Sequence, residues 1–269
     1  MKHLLLAAAL LLLPAAALAQ NTPDAPPQTA VPTDAPLNPS LPTLFIVGDS
    51  TARNKLDLGW GDHFAHFFDT SRINIANRAV AGRSSRTYLV EGRWATTLAQ
   101  VKAGDFVLIQ MGHNDGAGTP ESVQKDLKAR SSLKGLGNET VEVTLPGKPT
   151  ETVRTYGSYL RQYIAETRAR GATPILLTVT IRNIWKDGHI ERDMGFRDYE
   201  TQLAATEHVP LIDMATCAAD RFEALGPEKT ALLFPIDHTH TSPEGAEINA
   251  GCVAQALRTA KSPVAAYLR

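Results

Sequence analysis

Several features are scarce or missing in this 269-residue chain, and each absence removes a class of explanation. Apart from a short Ala/Leu run at the very start, no stretch approaches the roughly 20 apolar residues that a membrane-spanning helix needs. Lys and Arg number 27 against 28 Asp and Glu, a formal net charge of −1. No basic stripe for nucleic acid and no polybasic patch for a membrane surface stands out. No segment repeats at a solenoid period. There are only two cysteines, Cys217 and Cys252, and no H-E-x-x-H or cysteine-rich spacing of a zinc site. The two cysteines can form a bridge or remain as buried thiols, and sequence leaves both readings open.

What is present begins with the ends. Met1-Lys2-His3, the Ala/Leu run and Ala17-Leu18-Ala19 have the layout of a secretory signal peptide over 1–19, cleaved after Ala19. No cysteine follows closely, which argues against a lipid anchor. A soluble, exported protein is expected, periplasmic or secreted. Residues 20–42 are rich in Pro, Ala, Thr, Asn and Asp and read as a flexible tether, because they cannot bury enough surface to offset their ordering entropy. Residues 43–269 are long enough for one large domain with a substantial core. The oligomeric state stays open, a monomer being the expectation.

Five apolar runs punctuate that domain: Leu44 to Val47, Ile73 to Val80, Phe106 to Met111, Pro174 to Val179 and Val209 to Met214. Helix-like segments lie between most of them, so βαβ units and a parallel sheet covered on both faces are expected. The clearest helices run from about Tyr156 to Arg170, from Phe196 to Glu207, and onward from Ser242-Pro243-Glu244. Another is expected to follow Ser50. Ser131 to Val153 reads as an inserted hairpin and a candidate wall of a binding cleft. Ile181 to Met194 is a second long connection.

The chemistry gathers at strand ends. Phe45-Ile46-Val47-Gly48-Asp49-Ser50 puts a serine at the carboxyl end of a buried strand, where open α/β sheets carry their ligands. The second run leads to Gly82, and the third ends in Gly112-His113-Asn114-Asp115. A backbone N–H at Ser50, another at Gly82 and the Asn114 amide are three donors that could converge on an oxyanion. Singly, Ser50 and Asn114 could be turn residues and Gly82 a loop glycine. Asp237 and His240 are three apart, so one tight turn can bring carboxylate to imidazole and complete a Ser50–His240–Asp237 triad. The competing reading is a metal site using His238, His240 and either His113 or Asp115. G-x-S-x-G is missing, which excludes an ordinary α/β-hydrolase built on that motif.

Together the blocks Gly48-Asp49-Ser50-Thr51, the Gly82 loop, Gly112-His113-Asn114-Asp115 and Asp237-x-x-His240 resemble, in order, the SGNH (GDSL-type) hydrolases. Gly59-Trp60-Gly61-Asp62, Gly82 to Thr87, Gly104 to Leu108 and Asp237 to Pro243 resemble the rhamnogalacturonan acetylesterases within them. The likeness covers about Leu44 to Leu257. It implies a three-layer α/β/α sandwich around a five-stranded parallel sheet, flavodoxin-like in outline. It further implies Ser50 as nucleophile, His240 as base oriented by Asp237, and Ser50, Gly82 and Asn114 as the oxyanion hole. The implied reaction is removal of O-acetyl groups from a pectic polysaccharide, with no cofactor and no metal.

A galacturonate-bearing polymer is anionic, so Arg83 and Arg86 beside the oxyanion loop are candidate substrate contacts. The alternative is that they are solvated or hold the loop. Other acetylated polysaccharides such as xylan, a metal-dependent hydrolase and a non-catalytic polysaccharide-binding protein are the competing functions.

Overall fold

The computed structural model describes residues 36–55 and 57–269, so the expected signal peptide and most of the tether lie outside the described residues. The first half of the chain supplies β1 (Thr43–Gly48), β2 (Asn74–Asn77), α1 (Ser85–Val90), α2 (Arg93–Leu98), β3 (Phe106–Gln110), α3 (Pro120–Gln124), β4 (Thr140–Val143) and β5 (Glu151–Arg154). After these come α4 (Tyr156–Ala169), β6 (Thr173–Leu177), β7 (Trp185–Lys186), β8 (His189–Ile190), α5 (Arg197–Glu207), β9 (Leu211–Ile212), α6 (Met214–Leu225), α7 (Pro227–Leu232) and α8 (Pro243–Thr259).

Five strands form a parallel sheet in the order β2-β1-β3-β6-β9. The near-continuous apolar runs of β1 and β3 suit its centre, since both faces are covered and every residue of these two strands is buried. Alternation along the strands divides the core in two. Phe45, Val47, Val107, Ile109 and Leu176 pack with Tyr156, Leu160, Tyr163 and Ile164 of α4. Leu44, Ile46, Leu108, Ile175 and Leu177 face Ala250, Val253 and Leu257 of α8, with Trp60 and Phe64. Each fully buried side chain of this size contributes about 1.5–3 kcal/mol. The result is the expected α/β/α sandwich.

The helix boundaries follow local chemistry. Ser242 accepts a hydrogen bond from Gly245 N and Pro243 occupies the first turn of α8. Thr155 caps α4 by accepting from Ser158 N, and Gly171 (φ +72°) turns the chain out of its far end. Other boundaries differ from expectation. The strand expected over Val209 to Met214 shrinks to two residues, because the Asp213 carboxylate accepts from Thr216 N at 3.1 Å and starts α6 instead. Among the described residues no α-helix opens in the segment between Ser50 and β2. Trp60 N and Gly61 N donate to the carbonyls of Thr51 and Ala52, at 3.0 Å each, so the returning chain takes the acceptors a helix would have used.

Both long connections are hairpins. β4 and β5 pair antiparallel, and Val143, Leu145 and Val153 form a small core of their own with Val123 and Leu133. β7 and β8 pair across Asp187-Gly188, both with positive φ; that Asp-Gly was the overlooked hairpin signal. Contacts with the domain begin before Thr43, where the tether was expected to end: Asn38 N donates to Asn74 Oδ1 at 3.0 Å and Lys102 Nζ to Leu41 O at 2.8 Å. Cys217 and Cys252 are bridged, with Cα atoms 5.6 Å apart, tying α6 to α8. No helix among the described residues is long and apolar enough to cross a membrane.

Candidate active site

Ser50 follows β1 at the carboxyl edge of the sheet. Its turn is fixed from behind. Asp49 Oδ1 accepts from Thr51 N at 2.9 Å and from Thr51 Oγ1 at 2.8 Å, and Ala52 N and Arg53 N donate to Asp49 O. Gln110, fully buried at the end of β3, donates from Nε2 to Thr51 Oγ1 at 2.9 Å and accepts from Trp60 Nε1 at 2.8 Å. Burying Gln110, Thr51 Oγ1 and Trp60 Nε1 is tolerable because each of these groups finds a partner. Sequence reading missed Gln110 and Trp60 as supports. The available signal was a lone amide ending an otherwise apolar strand.

His240 arrives from the far end of the chain. Its Nε2 lies 2.9 Å from Ser50 Oγ, and its Nδ1 lies 2.7 Å from Asp237 Oδ2. Asp237 Oδ1 accepts from Thr239 N at 2.7 Å and His240 N at 2.8 Å, so the turn itself aims the carboxylate. Partial burial would raise the Asp237 pKa, but the His240 ring bond and the two backbone bonds outweigh it and hold the pKa down to about 2. The carboxylate therefore stays ionised, fixes the Nδ1–H tautomer and leaves Nε2 free to accept the Ser50 proton. Asn183 N donates to His238 O at 2.7 Å, bracing this loop from the connection after β6.

The loops that carry the donors expected for an oxyanion meet at the same edge, Val80 N donating to Gly48 O at 3.0 Å. Among the described residues neither Ser50 N–H nor Gly82 N–H has a protein acceptor. Gly82 adopts φ +77°, and a Cβ there would stand 3.1 Å from Arg130 Nη2. Asn114 Nδ2 donates one hydrogen to Arg83 O at 3.2 Å, tying the β3 loop to the Gly82 loop and leaving its second hydrogen unclaimed. Asp115 reinforces that tie, accepting from Ser85 N at 3.0 Å and from Ser85 Oγ. Full burial pushes the Asp115 carboxyl up to about 7 against these bonds. Gly112 (φ +155°) allows the close approach underneath, since a Cβ there would meet Val179 Cγ1 at 2.5 Å.

The remaining candidates have other partners. Arg86 is 1% exposed, with Nε donating to Glu151 Oε1 at 2.7 Å and Nη1 to Ser131 O at 3.0 Å. These bonds hold the inserted hairpin and favour the loop-holding alternative over a substrate contact. Arg83 Nε pairs with Glu91 at 2.9 Å, and its Nη1 donates back to Ala81 O. That pairing favours the loop-holding alternative. His113 Nε2 sits 2.7 Å from Thr180 Oγ1, and burial lowers its pKa, so it is a neutral brace. His238 is exposed. Among the described residues no three His, Cys, Asp or Glu side chains converge as a metal-ligand set.

This geometry joins an activated hydroxyl, an oriented imidazole and unclaimed N–H donors, the parts needed for acyl transfer. Comparison with known families agrees with it: residues 46–248 match the GDSL-like lipase/acylhydrolase family. The chain belongs to that family. It is a carboxylic ester hydrolase of the SGNH/GDSL type. A rhamnogalacturonan acetylesterase of Emericella nidulans is 34% identical over 219 residues, covering 80% of this chain and 84% of that protein. A probable rhamnogalacturonan acetylesterase of Bacillus subtilis, YesY, is 32% identical over 233 residues, 82% of this chain and 94% of that one. Among solved structures, protein YxiM of Bacillus subtilis shares the fold at TM-score 0.66 and 24% identity, over 83% of this chain and 58% of its own. The acetylxylan esterase Axe2 of Geobacillus stearothermophilus shares it at TM-score 0.53 and 19% identity, over 80% and 94%.

Proposed function

We propose that this esterase removes O-acetyl groups from a pectic polysaccharide of the rhamnogalacturonan type, through an acetyl-Ser50 intermediate. The observation that carries the reading is the chain of two short contacts, Ser50 Oγ to His240 Nε2 at 2.9 Å and His240 Nδ1 to Asp237 Oδ2 at 2.7 Å. Ser50 Oγ attacks the acetyl carbonyl as its proton passes to His240 Nε2, and Asp237 stabilises the resulting imidazolium. The oxyanion accepts from Ser50 N, Gly82 N and Asn114 Nδ2. Collapse breaks the acyl–oxygen bond, and the departing sugar oxygen takes the proton from His240. Water, deprotonated by the same nitrogen, then releases acetate and restores Ser50.

The substrate assignment draws its support from the two curated relatives above 30% identity, both named for rhamnogalacturonan. An acetylated xylan is the second reading; the Axe2 likeness that favours it is one of fold alone. The leader-like 1–19 segment supports export, as does the Cys217–Cys252 bridge, since disulfides persist in oxidising compartments. Acetate release from acetylated rhamnogalacturonan, homogalacturonan and xylan, measured for wild type and Ser50→Ala, tests the proposal. Release fastest from rhamnogalacturonan and abolished in the variant is the expected result. Wild-type rates in Ser50→Ala would overturn the mechanism, and faster release from xylan would overturn the substrate.

A further inference from the structure

The Asn114 amide is useful to an oxyanion only if its N–H2, and not its oxygen, faces the reacting carbonyl. Two neighbours decide that. Arg83 O can only accept and lies 3.2 Å from Nδ2, while Arg130 Nη1 can only donate and lies 3.2 Å from Oδ1. Rotating the amide by half a turn would set N–H against guanidinium and oxygen against carbonyl, so both contacts enforce one orientation. Arg130 also reaches the other side of the hole, its Nη2 standing 3.1 Å from where a Cβ on Gly82 would lie.

The segment bearing Arg130 is itself fixed. The Asp126 carboxylate accepts from Arg130 N at 2.9 Å, Ser131 N at 2.7 Å and Ser131 Oγ at 2.8 Å. Buried Arg86 donates to Ser131 O at 3.0 Å. Among the described residues no carboxylate pairs with the Arg130 guanidinium, so its charge is left uncancelled beside the amide. A hydrogen bond from a cation polarises the amide it touches and strengthens the donor at the opposite end.

We propose that Arg130 is a positioning residue for ester hydrolysis: through Asn114 Oδ1 it locks the amide with its free N–H toward the oxyanion and sharpens that donor. The inference rests on the proposed roles of Ser50 and Asn114. Its consequences differ from those of a purely structural arginine, because its effect must pass through Asn114.

The test measures kcat and KM on an aryl acetate, which carries no sugar, for Arg130→Met and Arg130→Lys, each alone and combined with Asn114→Ala. Arg130→Met is expected to lower kcat about 10- to 100-fold with KM nearly unchanged. Arg130→Lys, which keeps a cationic donor, should recover part of that loss. In the Asn114→Ala background either change should cost less than about twofold, the signature of coupled residues. A full-sized loss persisting without Asn114, a change confined to KM, or wild-type kcat in Arg130→Met would each overturn the inference. Should Arg130→Met not fold, the Lys variant carries the same cycle. Activity surviving in Ser50→Ala would refute the underlying mechanism instead, so the two failures are distinguishable.

Discussion

The two halves of the site are built in opposite ways. The nucleophile half belongs to the centre of the sheet: Asp49 and Gln110 are fully buried, Thr51 is 5% exposed, and every support is a neighbour on β1 or β3 or the chain returning beside them. The acid–base half is a surface loop, with the side chains of Asp237 and His240 39% and 26% exposed. It is held at a few points: Ser242 N to Leu233 O, Asn183 N to His238 O and Thr241 Oγ1 to Leu58 O. The difference teaches where fold and function share residues. On the first half they do; on the second they are separable.

The largest expected effect breaks the second half alone. His240→Ala should lower kcat by about 10⁶, on the scale known for removing a triad base. Asp237→Asn, which spoils the tautomer but keeps the shape, should cost about 10⁴. Because neither side chain packs in a core cluster, thermal unfolding of both variants should stay within a few degrees of wild type. A large drop in Tm for His240→Ala would refute the separation of the two halves.

On the first half the same experiment should give a mixed answer. Gln110→Ala leaves Trp60 Nε1 without its buried acceptor, at a cost of about 1–3 kcal/mol, and takes from Thr51 Oγ1 one of its two partners, Asp49 Oδ1 remaining. Both stability, by urea unfolding, and kcat should fall together, since the Thr51 turn carries Ser50. Loss of one without the other would show that Gln110 serves only the fold or only the site.

The halves also differ in how far sequence reveals them. Asp237 and His240 meet through a three-residue spacing, so one turn accounts for both, and Ser50 announces itself by ending an apolar run at Gly48-Asp49. The parallel sheet was legible for the same reason, because each strand is a local apolar pattern. The supports were not. Gln110 finds Trp60 and Thr51 across 50 and 59 residues, Arg86 finds Glu151 across 65, and Asn114 meets an arginine on a segment with no motif of its own. Nothing local marks such pairs, and for an arginine beside the Gly82 loop the sequence therefore left a substrate contact and a loop-holding role both open. The helix expected after Ser50 failed similarly: its acceptors were taken by Trp60 and Gly61, whose return no local pattern foretells.

Titration sharpens the contrast with an effect on stability alone and none expected on the chemistry. Beneath the Gly112–Asn114 loop, the Tyr156 hydroxyl lies 2.7 Å from Met111 O and 3.1 Å from Glu200 Oε1. Burial pushes Glu200 up to about 8, whereas Asp237 across the site is held down to about 2. The signs are opposite. Asp237 contributes stability above its ordinary pKa and loses it only as pH falls toward 2. Glu200 binds its proton more tightly in the folded than in the unfolded protein, so the folded state is favoured at low pH and weakens as pH rises from about 4.5 toward 8. Glu200→Gln, neutral at every pH, should remove that slope, at most about 1.4 kcal/mol per pH unit. Urea unfolding at pH 5 should then find variant and wild type close, and at pH 8 the variant the more stable of the two. Parallel pH profiles would show that Glu200 titrates alike in the folded and unfolded protein, which would refute the raised carboxyl.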